Sequence, residues 1–217
     1  MFAAVSLSGS AASRSTWVAR LRSGSITAAT TTALVRTAAL SQKPAVIAPF
    51  VTRPNETIVD REAIGMPPAT AAIDGVYAFR RADPDKQPYH GTLVLQGSGV
   101  TNTFVFDVLP RIEEAGLNMN VFYVSSVELF DLLPAERREE IFPSHLYEEA
   151  IGITGLTLPT MYRWVTSKEG RERTVHPYKE GIYLGSGMAH KVLEEAHLHG
   201  DGQWAAVQDY AKWMETR

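Results

Sequence analysis

Three absences narrow the reading of this chain before any motif is considered. There is no cysteine among its 217 residues, which excludes disulfides, thiolate nucleophiles and cysteine metal sites and fits a reducing compartment. No apolar run approaches the roughly 18–20 residues that a membrane span requires. Residues 1–55 hold no Asp or Glu, only Arg14, Arg20, Arg22, Arg36, Lys43 and Arg53. That segment is therefore +6, and the other 162 residues carry -3 - 6 = -9. An acidic body of that size argues against a nucleic-acid surface. With 45% hydrophobic residues, what is present suffices for one good core, or for one domain plus part of another.

Read in order, residues 1–25 are rich in Ser, Ala, Thr and Arg and are expected to be poorly ordered or presequence-like. The location follows as cytoplasmic, with a mitochondrial or plastid alternative if they are a presequence. Residues 26–40 give a weak helical face and 45–51, AVIAPFV, a β-like run. This pair is too small for a core and reads as the tail, 26–54, of a preceding domain. Residues 55–75 contain Pro67-Pro68 and read as an extended linker, leaving a main domain at 76–217.

That domain is organised around residues 91–126. Residues 92–95 and 121–124 are short β-favouring runs. Between them Val100, Phe104, Val105, Val108, Leu109, Ile112 and Ala115 form one face of a helix of about four turns, closed by Gly116. Strand, helix and strand make a βαβ unit, and the fold class is α/β with a mainly parallel sheet. An alternating strand at 76–80 is expected to form a hairpin with this unit through the polar turn 81–89. After the unit, short helices are expected at 126–133 and 145–150, a brief strand at 182–184, and a C-terminal helix pair at 185–198 and 203–214.

Chemistry-bearing residues are sparse. Gly97-Ser98-Gly99 stands where a strand turns into a helix, a place that suits either a tight turn or an anion. The dinucleotide fingerprint fails because position 102 is Asn102. Gly185-Ser186-Gly187 repeats the pattern. Among six histidines, His176, beside Pro177 and near Arg171 and Arg173, is the one loop candidate for acid-base or binding work, and no HExxH pair occurs. Ser98, Ser125, Ser126 and Ser186 lack a nucleophile-elbow setting. The residues identify no catalytic group and no metal site. The aromatic segment 161–164 is readable as an exposed docking surface or as core.

Three stretches, GTLVLQGSGVTNTFVFDVLPRIEEAGLNMNVFYVSS, SSVELFDLLPAERREEIFP and AIGITGLTLPTMYRWVTSKEGRERTVHPYKEGIYLGSGMAHKVLEE, resemble the C-terminal domain of transketolases. PAVIAPFVTRP, residues 44–54, resembles the last strand of the pyrimidine-binding domain that precedes it. The resemblance covers about residues 26–217. It implies a three-layer α/β/α sandwich with a mixed, mostly parallel sheet, packed beside thiamine-binding domains and helping to form a homodimer or hetero-oligomer. The complete enzyme transfers a two-carbon ketol unit between sugar phosphates with thiamine diphosphate and Mg. This chain lacks the diphosphate motif and the glutamate-bearing part, so no cofactor is expected on it alone. Gly200-Asp201-Gly202 begins like that motif, but no Asn follows it, and an interhelix turn is expected. Arg53 lies near the point where the family holds the substrate phosphate. The corresponding domain of thiamine-dependent 2-oxo acid dehydrogenases shares the fold, and a stand-alone interaction module remains the reading outside the enzyme class.

Overall fold

The computed structural model describes residues 56–217, so the expectations for 1–25 and 26–54 lie outside the described residues. Four strands form one sheet: β1 (Val76–Arg80), β2 (Tyr89–Gln96), β3 (Asn118–Val124) and β4 (Ile151–Thr154), in the order β1-β3-β2-β4. β2 pairs in parallel with β3 and with β4, while β1 runs antiparallel to β3. The sheet is mixed and mostly parallel, as expected.

Alternation along the strands explains the layers. Leu93, Leu95, Met119, Val121, Tyr123, Ile151 and Ile153 point to one face, joined by Tyr77 and Phe79. Val76, Val94, Phe122 and Val124 point to the other. Both sets are buried, so each face needs a cover, and all seven residues of β3 are out of solvent. The first face is covered by α1 (Ser98–Thr103) and α2 (Leu109–Glu114), joined by a π-helical turn at Phe104–Val108, and by α7 (Gly200–Glu215). The second face is covered by α3 (Val127–Asp131), α4 (Ala135–Ile141) and the 161–165 segment. Three layers result.

The central helix departs from a regular α-helix at Phe104–Val108. Pro110 stands one residue beyond it, with no N–H to offer the carbonyl four residues back and a ring that crowds it. Widening into a π turn relieves both. At the far end the Leu117 amide reaches the Ile112 carbonyl at 3.1 Å, with Gly116 at φ +65°, a glycine stop of the expected kind.

The expected hairpin does not form. Both edges of β2 are occupied by parallel neighbours, so β1 pairs beyond β3, with Val76 opposite Val124. The 81–88 connection is instead clamped to the start of β3. Asn120 Oδ1 accepts from the Ala82 amide at 2.9 Å, and Asn118 exchanges hydrogen bonds with Asp83 at 2.8 and 2.9 Å. The expected strand at 182–184 is absent as well. The free edge of β4 pairs with Val175, whose amide donates to Gly152 and whose carbonyl accepts from Thr154.

Residues 56–75 lie against the sheet. Val59, Met66 and Ala72 are buried in the first core, and Arg61 donates to the Pro67 carbonyl at 2.9 Å and to the Tyr77 hydroxyl at 3.0 Å. Two shorter helices, α5 (Lys168–Arg173) and α6 (Ala189–Glu195), complete the chain before α7. Tyr210 of α7 ties the layers together, its hydroxyl accepting from the Thr92 amide at 2.8 Å and donating to the Glu149 carbonyl at 2.9 Å. Tyr210→Phe strands a buried N–H and is expected to lower the unfolding free energy by about 1–3 kcal/mol in urea titration. A change indistinguishable from zero would show that the hydroxyl is not the tie.

Candidate functional site

The chain leaves β2 for the helices of the first face and leaves β3 for those of the second. β2 and β4 are therefore the neighbouring parallel strands at which the crossovers part, the place where open α/β sheets present a ligand crevice beyond the strand ends. Gln96, Gly97, Ser98 and Gly99 come from the end of β2; Thr154, Gly155 and Leu156 come from the end of β4. The two ends are joined where the Gly155 amide donates to the Gln96 carbonyl at 3.0 Å.

Gln96, 9% exposed, is held at the end of its side chain by hydroxyls. Its Oε1 accepts from Thr160 Oγ1 at 2.7 Å and from Thr154 Oγ1 at 3.1 Å. Thr154 Oγ1 in turn accepts from the Leu156 amide at 3.0 Å. Gly97 turns the strand into α1 at φ +97°, and the half-buried 97–99 turn carries the first amides of the helix. None of these residues is charged, and no histidine or carboxylate stands among them to activate a nucleophile. The chemistry available is neutral hydrogen bonding. The sequence pointed to the glycine turn; it missed Gln96 and Thr154, whose only signal was a polar residue at the end of an apolar strand, and Thr160, which lies in the short helical turn after β4 and carried no signal.

The other candidates are not brought to these strand ends. Arg53 lies outside the described residues. His176 follows Val175 and accepts through Nδ1 from the Tyr178 amide at 3.3 Å. Burial, and then the charge of Lys179, hold its imidazole below the usual histidine range and favour the neutral form. Gly185-Ser186-Gly187 is exposed, follows no strand, and stops short of Met188, the residue that precedes α6, so the second turn does not repeat the first.

Gly200-Asp201-Gly202 proves to be the first turn of α7 rather than a loop between helices. A Cβ on Gly200 would stand 2.6 Å from Asp107 Cβ, and one on Gly202 would overlap the His197 carbonyl. Asp201 accepts from Arg111 at 2.8 Å. Close packing accounts for both glycines, against Asp107 of the central helix for Gly200 and against the His197 backbone for Gly202, and the acid between them is already paired. Among the described residues there is no group of three or more His, Asp or Glu able to hold a metal ion. These residues do not fit a thiamine diphosphate and Mg site.

A second polar cluster sits at the opposite end of the sheet. Tyr89 donates to Glu149, Thr92 Oγ1 reaches the same carboxylate at 3.1 Å, and Asn120 Nδ2 bridges Tyr89 and Thr92 at 3.1 and 3.2 Å. Burial first, then the bond to Glu149, push the Tyr89 phenol well above its usual range. A phenol held protonated in this way is a structural donor.

The architecture defines a three-layer α/β/α domain with a mixed four-stranded sheet. Solved transketolase structures contain a stretch with a similar arrangement. A mutant transketolase of Pichia stipitis superposes with a TM-score of 0.57 at 15% identity, covering 88% of this chain and 25% of that one. A second mutant of the same protein, in complex with fructose 6-phosphate, gives 0.51 at 14% identity, covering 86% and 24%. The chain thus spans about a quarter of the length of the transketolases it matches. No family model and no curated protein matches it.

Proposed function

We propose that this chain is the C-terminal portion, or a separate subunit, of a transketolase-type thiamine diphosphate enzyme of the pentose phosphate class, in which two-carbon ketol units move between sugar phosphates. Its part is structural: it packs against cofactor-bearing domains or chains, contributes to a homodimer or hetero-oligomer, and has no activity alone. The observation that carries this reading is the superposition of 88% of the chain on a quarter of a transketolase. The order of sequence segments quoted above supports the same assignment. A cytoplasmic location goes with the proposal; no helix among the described residues is long and apolar enough to cross a membrane.

The purified chain is expected to show no ketol transfer and no binding of thiamine diphosphate with Mg in titration calorimetry. Micromolar binding by the chain alone would overturn the proposal. Ketol transfer gained on mixing with a chain that carries the diphosphate motif supports it, whereas decarboxylation of 2-oxo acids by that mixture favours the 2-oxo acid dehydrogenase reading. The interaction-module reading loses its docking surface. Met161 and Trp164 are fully buried, and of that segment's aromatics only Tyr162 is substantially exposed, beneath the Arg171 guanidinium.

A further inference from the structure

An open cavity of about 360 Å³ lies between α2 and α7, lined by Arg111, Glu114, Ala115 and Trp204. That volume is at the lower end of the range for small-molecule sites. Two of its groups have no partner. Trp204 is partly buried against the first core, and among the described residues no cation stands over its ring, whereas Trp164 has Arg163 at 4.9 Å and Trp213 has Arg173 and Arg217 at 4.6 and 5.0 Å. The Glu114 carboxylate has no hydrogen-bond or ion-pair partner among the described residues, although Glu113 beside it is taken by Arg80. Neither nearby cation fills the gap. Arg111 Nη1 donates to Asp201 at 2.8 Å, and Lys86 is turned to the Gly116 carbonyl at 2.9 Å and does not line the cavity.

We propose that this cavity binds a small organic cation with a quaternary ammonium head, the Trp204 indole receiving the head and Glu114 balancing its charge. With Arg111 and Asp201 paired to each other, the charge left over is that of Glu114, so the site favours a cation. An aromatic face beside one carboxylate is the arrangement that holds such a group. A primary ammonium is strongly hydrated and would exchange its water for a single carboxylate. A quaternary head has no N–H to satisfy, so it loses less on entry and still gains the ring. The cavity also has room for the short chain that carries the head. The inference concerns a site that the enzyme reading does not use and stands whether or not that reading does.

Titration of the isotope-labelled full chain with choline chloride at constant ionic strength, followed by nuclear magnetic resonance, tests it. The Trp204 indole N–H is expected to shift saturably with a Kd of about 10 mM or below, while those of Trp164 and Trp213 stay in place. The neutral isostere 3,3-dimethyl-1-butanol is expected to bind about tenfold more weakly or not at all. Glu114→Gln, at an exposed position, is expected to weaken choline binding about threefold to tenfold, and Trp204→Leu to abolish the shift of the Ala115 amide. The absence of a saturable shift up to about 50 mM overturns the proposal, as do equal affinity for the neutral alcohol and native affinity in Glu114→Gln. Methylammonium binding more tightly than choline overturns the quaternary assignment. A shift produced by inorganic phosphate and not by choline overturns it in favour of an anion held by Arg111.

Discussion

Trp164→Ala is expected to lower the unfolding free energy by about 3–5 kcal/mol, with a fall in Tm of about 6–20 °C. The indole is fully buried in the second core. Phe130 meets it edge-on at 5.5 Å, Phe142 stacks at 5.9 Å, and Tyr147 stands at 6.2 Å between ring centroids. The Arg163 guanidinium lies 4.9 Å above it. Removing the ring empties the centre of an aromatic cluster that holds α3 and α4 to the sheet, and their short helices have few other contacts with which to close the gap. The indole N–H has no acceptor among the described residues, so Trp164→Phe removes an unsatisfied donor together with some volume and is expected to cost less than half as much. Urea unfolding followed by circular dichroism gives both numbers. A loss below about 1 kcal/mol for Trp164→Ala would mean that the ring is a surface group, and would restore the docking reading of this segment.

The second large effect is expected from Gly75→Ala, a loss of about 2–5 kcal/mol, combining the cost of a left-handed backbone with that of overpacking. Gly75 precedes β1 at φ +78°. A Cβ there would overlap the Ser126 carbonyl oxygen at the N-cap of α3 and the Phe130 amide nitrogen within it, both backbone atoms. The Gly75 carbonyl also accepts from the Ser125 amide at 2.8 Å and the Ser126 amide at 3.0 Å, so moving it disturbs the join of β1 to β3. Gly65 is the control. It has φ +65° with nothing within 4 Å of its Cβ position, so Gly65→Ala isolates the backbone cost and is expected to lose only about 1–2 kcal/mol. Equal losses at the two positions in chemical denaturation would show that backbone strain, not the close approach, governs Gly75.

Much of this architecture is legible from local pattern. The strand at 76–80 is found where alternation places it, the apolar runs at 92–95 and 121–124 lie inside β2 and β3, and the amphipathic stretch between them is helical up to the Gly116 stop. Such features depend on side-chain periodicity and on one glycine, which a linear reading contains. The π turn was not foreseen, although Pro110 is in plain view, because the spacing of apolar residues tolerates one extra residue per turn. At the ends of β2 and β4 the glycine turn was visible. Gln96, Thr154 and Thr160 were not, since they are 58 and 64 residues apart from Gln96 along the chain and meet only when β4 comes to lie beside β2.

By itself, then, the sequence determined the α/β class, the absence of any cysteine chemistry, the central strand–helix–strand unit and the acidic body behind a basic start. Only the tertiary structure decided that β1 pairs beyond β3, that Trp164 is core, and that Gly200 and Gly202 serve close packing at the start of α7. The division has one physical cause. Periodicity and turn chemistry are set by neighbours in sequence, whereas the choice of sheet edge, the burial of an aromatic and the clearance at a glycine depend on which distant surface arrives there first and what space it leaves.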